Sequence, residues 1–195
     1  MKLIIIALLS YLIGCFSSAY FVGKVFKRID IRAHGSGNVG STNAMRVMGK
    51  KLGILTFLLD FSKGIIAVLI GYWILGYNGG LLASVFVVVG HDWPVFIGFR
   101  GGKGVATTLS ALTILNFPTA LITIIIGVVV AIISKYVSLG SLVFLSLIPI
   151  ISTIMTKSFN KQLFITTTIL ALIGIYRHKE NIKRIIKGTE NKIGG

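Results

Sequence analysis

Five stretches of this chain carry no charged residue at all: Leu3 to Gly23 (21 residues), Gly64 to His91 (28), Gly104 to Ser134 (31), Tyr136 to Thr156 (21) and Gln162 to Tyr176 (15). An α-helix rises about 1.5 Å per residue, so roughly 20 apolar residues cross about 30 Å of hydrocarbon. Four of the runs reach that length and the fifth approaches it. Because lipid offers backbone groups no hydrogen bonds, runs like these fold as membrane-spanning helices. Composition agrees: 54% of the 195 residues are hydrophobic, 13% are charged, and the mean hydropathy is +0.91, which excludes an ordinary soluble domain.

The runs resolve into an all-α, polytopic membrane protein of seven transmembrane helices, near 3–23, 52–75, 79–97, 104–116, 118–134, 137–156 and 162–177. The 31-residue run is divided at Asn116-Phe117-Pro118, since proline removes a backbone donor and restricts its predecessor. Orientation follows from the basic segments 24–51, 98–103 and 177–195, which all fall on the cytoplasmic side if the N-terminus is outside and the C-terminus inside. Lys157 and Lys161 then lie on the opposite side, two charges against the six of the tail. No internal repeat or soluble module interrupts the pattern, so residues 1–195 read as one integral membrane domain.

Lys plus Arg outnumber Asp plus Glu by 20 to 5, a formal net charge of +15. In a membrane chain this marks the cytoplasmic face and favours anionic headgroups or substrates. Nucleic acid is excluded as a partner, because no basic helix or aromatic-rich polar surface stands outside the apolar runs. The single cysteine, Cys15, forms no intramolecular disulfide and no cysteine-rich metal site. Leu12-Ile13-Gly14-Cys15 imitates a lipoprotein cleavage site, but cleavage would require export of the strongly basic segment that follows, so an uncleaved first span is expected.

Polar residues concentrate in three cytoplasmic segments, which hold all three histidines. The first, residues 33–51, contains Gly35-Ser36-Gly37-Asn38-Val39-Gly40, a G-x-G-x-x-G match with Asp60 at a dinucleotide-like distance. A basic stretch precedes it instead of a buried strand, and Asp60 sits within a span, so a dinucleotide site is rejected. The physics behind the motif survives. Glycines let backbone N–H groups converge on an oxyanion, with Ser36, Asn38, Thr42 and Asn43 as side-chain donors and Arg46 as a charge. In the second segment, residues 90–108, Arg100-Gly101-Gly102-Lys103-Gly104 opens a helix. It lacks the full Walker pattern yet suits an anion through amides, dipole and lysine. The third, residues 177–192, puts His178 and Asn181 three apart beside Glu180, where His178 is a base, an oxyanion donor, a phosphate ligand or a plain interfacial histidine. Ser138 and Ser141 form a weaker polar element at the start of the sixth span, where intrahelical hydrogen bonding is the simpler explanation.

Asp60 and Lys63 stand at i, i+3 inside the second span. An ionisable pair there is a functional candidate, although mutual neutralisation explains it more simply. None of the histidines has an aspartate five residues on, since positions 39, 96 and 183 are Val, Phe and Lys, so an H-x-x-x-x-D acyltransferase site is missing. Five scattered acids do not build a two-metal phosphotransferase site, and no metal or cofactor is expected.

At "GSGNVGSTNAMR", "GHDWPVFIGFRGGKGVAT" and "YRHKENIKR" the chain resembles the bacterial acyl-phosphate:glycerol-3-phosphate acyltransferases, integral membrane enzymes that begin phospholipid synthesis, and the resemblance runs nearly end to end. It implies seven helices around a cytoplasm-facing site in the cell membrane. It also implies fatty acyl transfer from acyl-phosphate to the 1-hydroxyl of glycerol 3-phosphate, giving lysophosphatidic acid and phosphate without coenzyme A or metal. By position, Ser36 and Arg46 match the important serine and arginine of the first motif. Gly101, Gly102, Lys103 and Gly104 match its phosphate loop, Ser141 a substrate-contacting serine, His178 and Asn181 the active pair, and Glu180 a structural acid. Gly37, Asn38, Gly40, Thr42 and Asn43 fall in the same site. An enzyme that makes acyl-phosphate is a further expected partner, beside the two substrates and membrane lipid.

The chemistry fits. An acyl-phosphate is already activated, so the protein mainly has to hold two phosphates together and aim a hydroxyl at a carbonyl. The released proton goes to His178 or to a substrate phosphate oxygen, and the good leaving group slightly favours the phosphate. The rival class is a small transporter of phosphate or an organic phosphate. Transporters usually set their site at the midplane between related halves, which this sequence lacks.

Overall fold

The computed structural model describes residues 1–193, and every regular element among them is helical. The principal helices are α1 (Lys2–Gly14), α2 (Ser18–Val22), α3 (Ser41–Met48), α4 (Lys50–Asp92), α5 (Val105–Leu115), α6 (Phe117–Ser134), α7 (Val137–Ile154), α8 (Lys161–Arg177) and α9 (Lys179–Ile186). Four helical stretches are long and apolar enough to cross a bilayer: Lys2–Lys27, Lys50–Ile97, Phe117–Ser134 and Val137–Ile154. Val105–Leu115 is a shorter apolar helix. The chain divides into two compact units, one from Met1 to Ala111 and the other from Leu112 on.

In the first unit, α4 is two helical arms. Leu75 (φ −143°) and Gly76 (φ +57°, ψ −152°) leave helical geometry between them, a conformation that glycine adopts without strain. The arms fold back so closely that a Cβ on Gly71 would run into the carbonyl of Gly79. This break falls in the gap left between the second and third expected spans. The third ends sooner than expected, however: α4 stops at Asp92, and Val95–Ile97 is a 3₁₀ turn entered through Pro94, which disfavours helix in the residue before it.

The first expected span is also interrupted. α1 stops at Gly14 and α2 begins at Ser18, before a π-helical turn over Gly23–Lys27. A helix that ends inside an apolar run leaves carbonyls without partners, and these need a donor from elsewhere. Lys63 of α4 supplies it, its Nζ donating to Gly14 O at 3.1 Å and Phe16 O at 2.8 Å. α1 and α4 meet at Gly14 and Gly90, where a side chain on either would strike the opposite backbone; small residues at such crossings let helices approach closely.

In the second unit, the break expected at Asn116-Phe117-Pro118 is present. α5 ends at Leu115, Asn116 caps α6 by accepting from Thr119 N–H at 3.1 Å, and Pro118 sits in the first turn where its missing donor costs nothing. Lys135, in left-handed geometry (φ +62°), turns the chain from α6 into α7, and the two pack through Gly127 and Gly140. Gly174 of α8 lies against the Leu145 side chain of α7, and Ser152 and Thr167 meet at 3.3 Å across the same pair. α8 leads through His178 directly into α9.

Candidate active site

The first motif is a loop held open from within. Gly35 (φ +59°) and Gly37 (φ +70°) take left-handed conformations that reverse the chain. Buried Asn43, from the first turn of α3, reaches back into that reversal: its Nδ2 donates to His34 O at 3.1 Å and Asn38 O at 3.0 Å, and its Oδ1 accepts from Ser36 N–H at 2.9 Å. Both amide donors are therefore spent on the loop's own carbonyls, which makes Asn43 the scaffold of the motif. Val39 anchors the loop in a cluster with Ala19, Val22, Ile31, Ala44 and Met48. Ser36, Thr42 and Arg46 are left exposed, while Gly37, Asn38 and Gly40 are half-buried.

Arg32 joins this loop to the second motif. Its Nε and Nη2 grip the Asp30 carboxylate at 3.0 and 2.7 Å, and Nη1 donates to Ile97 O at 2.9 Å. The Arg32 hydrogen bonds hold the Asp30 carboxyl down at about 2 against partial burial that would raise it.

In the second motif, Gly101, Gly102 and Gly104 are buried and Lys103 is half-buried, just ahead of α5. The glycines are demanded by what lies behind them. Gly102 N–H donates to His91 O at 3.0 Å, and a Cβ on Gly102 would collide with His91 Nε2. A Cβ on Gly101 would strike the His91 carbonyl oxygen. Gly104 has φ +68°, and its Cβ position lies 3.3 Å from the carboxylate of fully buried Asp92.

His91 is in turn part of a buried ion cluster. Its Nδ1 lies 2.8 Å from Lys63 Nζ and 3.4 Å from Asp60 Oδ1, while Lys63 and Asp60 pair at 2.9 Å and Ser18 Oγ donates to Asp60 at 2.7 Å. Asp60 and Lys63 thus neutralise one another and do more: the pair ties the α1–α2 break to the base of the glycine loop. Sequence reasoning missed His91 and Asp92 as parts of this support, although both lie within the second motif.

In the second unit, buried His178 occupies the junction of α8 and α9, with Nδ1 2.7 Å from Gly174 O. A carbonyl only accepts, so Nδ1 carries the proton and the lone pair of the neutral ring is on Nε2. Asn181, also buried, donates Nδ2 to Glu190 Oε1 at 2.7 Å. Glu190 is an acid that the sequence did not single out. It also accepts from Ser138 Oγ at 3.0 Å and Arg184 Nε at 2.8 Å. Burial alone would raise its carboxyl, but the hydrogen bonds from Asn181, Arg184 and Ser138 hold it below the ordinary range. Glu180 is exposed and pairs with Lys183 at 3.2 Å. Ser141 is half-buried and bonds within its helix to Val137 O at 3.0 Å. Among the described residues, no three His, Cys, Asp or Glu side chains are grouped to hold a metal ion.

The family model described as glycerol-3-phosphate acyltransferase matches residues 4–188, through both units and all three motifs. The chain belongs to this family. A glycerol-3-phosphate acyltransferase of Thermoanaerobacter pseudethanolicus is 45% identical over 194 residues, covering 100% of this chain and 97% of the relative. One from Clostridioides difficile is 47% identical over 197 residues, covering 98% and 95%. A crystal structure of PlsY, an integral membrane glycerol 3-phosphate acyltransferase in its glycerol 3-phosphate form, superposes with a TM-score of 0.93 at 33% identity, covering 100% of this chain and 96% of that one. Its lysophosphatidic acid form gives 0.88 at 32% identity. The acyltransferase family thus includes a solved relative with the fold of this chain.

Proposed function

We propose that this acyltransferase moves a fatty acyl group from acyl-phosphate to the 1-hydroxyl of glycerol 3-phosphate, releasing lysophosphatidic acid and phosphate at the cytoplasmic face of the cell membrane. The observation that carries the reading is the family match across residues 4–188, with relatives of the same activity name along the whole chain. The hydroxyl oxygen attacks the acyl carbon, a new carbon–oxygen ester bond forms, and the bond to the phosphate oxygen breaks with its electron pair leaving on phosphate. Lys103 and Arg46 supply charge for the two phosphates, Gly37 and Gly40 shape the first loop, and Gly101, Gly102 and Gly104 let the loop that carries Lys103 pack down on His91 and Asp92. Ser36, Asn38, Thr42 and Ser141 contribute side-chain donors. His178, whose Nδ1 proton is held by Gly174 O, takes the hydroxyl proton in this reading in place of a substrate phosphate, and Asn181 orients the nucleophile.

The membrane arrangement belongs to the same proposal: seven spans, N-terminus outside, C-terminus inside, and the whole chain working as one catalytic domain. Its support is the four helical stretches long and apolar enough to cross a bilayer, one of them the two-armed α4, together with the shorter apolar α5. The decisive contrast is with a transporter of the same anions. In proteoliposomes loaded with acyl-phosphate, the enzyme consumes acyl-phosphate and glycerol 3-phosphate in equal amounts and leaves lipid product in the bilayer. Uptake of glycerol 3-phosphate without acyl-phosphate consumption would refute acyl transfer.

A further inference from the structure

We infer that Arg32 is a positioning residue that sets where the glycine loop of the first motif stands against that of the second. The inference rests on the phosphate-holding role proposed above for the two loops, and all its parts lie in the first unit. Arg32 follows Lys24, Lys27 and Arg28 in a basic stretch, where a cation reads as charge for the cytoplasmic face or for an anionic substrate. The structure uses it otherwise. Nε and Nη2 meet the two Asp30 carboxylate oxygens fork to fork at 3.0 and 2.7 Å, Nη1 donates to Ile97 O at 2.9 Å, and the guanidinium carbon lies 5.0 Å from the centre of the Tyr20 ring. Its charge is answered by Asp30, so Arg32 is a bracket and not, like Arg46, a charge offered to substrate.

Each end of the bracket is built into one loop. Asp30 Oδ1 also accepts from Arg32 N–H at 3.0 Å and caps the 3₁₀ turn Ile31–Ala33, and His34 Nδ1 donates to Asp30 O at 2.9 Å. Arg32 O lies 3.1 Å from where a Cβ on Gly37 would stand, so this turn is the floor of the first loop. At the other end, Ile97 closes the turn Val95–Ile97, and Gly98 and Phe99, both left-handed (φ +69° and +60°), reverse the chain directly into Arg100-Gly101-Gly102-Lys103. The Ile97 side chain packs on the cluster that contains Val39, but apolar packing has no direction, whereas the fork fixes both distance and angle. Asn43 already scaffolds the first loop and His91 backs the second, so the bracket is not what forms either of them. Its effect falls on the spacing between the two bound substrates, which governs turnover more than binding.

The test compares purified Arg32→Lys and Arg32→Ala with the unmodified protein in turnover and thermal unfolding. Lysine keeps the charge but is a point donor without the planar fork that grips a carboxylate and a carbonyl together. Both variants are expected to lose about 10- to 100-fold in kcat, the scale of a small misplacement at a reacting centre, with KM for each substrate within about threefold. Free guanidinium ion added to Arg32→Ala should restore part of the kcat by bridging Asp30 and Ile97 O again, and sodium chloride at equal ionic strength should not. Val68→Ala, a truncation of a fully buried α4 side chain, is the stability control and should lower the unfolding temperature with little effect on kcat. Near-normal kcat in Arg32→Lys, a loss carried by KM, failure of guanidinium to restore Arg32→Ala, or an equal kcat loss in Val68→Ala at the same unfolding temperature would overturn the inference. If Arg46→Ala and Lys103→Ala left both kcat and KM unchanged, the role given to the two loops would fail instead, so the two ideas are separable.

Discussion

Gly102→Ala is expected to act through His91 before it acts on any phosphate. The added Cβ would overlap His91 Nε2 and lie 2.6 Å from Cε1 and 2.9 Å from Cδ2, so the imidazole has to move. A ring pushed about 30° off its rotamer costs roughly 0.5–1.5 kcal/mol. The larger loss is at the other edge, where Nδ1 sits 2.8 Å from Lys63 Nζ inside a cluster with Asp60 that has almost no access to solvent. A hydrogen bond to a charged group contributes about 1.5–3 kcal/mol, so Gly102→Ala should destabilise the fold by roughly 2–4 kcal/mol. Thermal unfolding in detergent micelles measures this. The loss should be absent from Gly102→Ala when it is made in a His91→Ala background, because the colliding ring is gone, and the pair of substitutions should be strongly non-additive. Additive losses would refute the reasoning, since Gly102 would then be needed for something other than room beside His91.

Three other outcomes follow from the geometry. His178→Gln keeps a hydrogen-bonding amide and loses the base; it should lower kcat by at least about 100-fold, the usual scale of general-base catalysis, with substrate KM preserved. A substantial residual rate with an unchanged pH profile would transfer the proton to a substrate phosphate. A cysteine placed at Thr189 should be protected from a membrane-impermeant thiol reagent in intact cells and one placed at Asn78 should react, with the reverse pattern ending the topology. The Asp30 carboxyl is held at about 2 against an ordinary 3.8, so its pairing with Arg32 contributes fully above the ordinary value and is lost as pH falls through about 2. The stability gap between the native protein and Asp30→Asn should therefore be constant from neutral pH to about pH 5 and shrink below it; a gap that grew on acidification would contradict the pairing.

Element boundaries were most legible where the backbone itself forces a break. Pro118 divides the longest apolar run, and Gly76 divides the arms of α4. The break after Gly14 was hidden, because Cys15-Phe16-Ser17 continues an apolar pattern and the donor that satisfies the freed carbonyls is Lys63, far along the chain. The same distance hid the site's supports. Asp60 and Lys63 announce each other at i, i+3, but their third member, His91, arrives only when the α4 arms fold back. Motif spacing picked out Asn43 as a side-chain donor, and only the fold reveals that its amide is spent on the loop's own backbone. Glu190 stands in a basic tail where an acid reads as solvated charge, yet the chain's turn after Gly188 buries it against Asn181. In a chain with five acids, asking where each carboxylate finds its donors would have been the available clue.

The central claim is the identity of the acyl donor, and it is tested by supplying the purified protein with glycerol 3-phosphate and one donor at a time. With acyl-phosphate, lysophosphatidic acid and inorganic phosphate should appear in equal amounts, at a rate that a metal chelator leaves unchanged. With acyl-coenzyme A, no product should form. Product from acyl-coenzyme A at a comparable rate, or none from acyl-phosphate, would contradict the account.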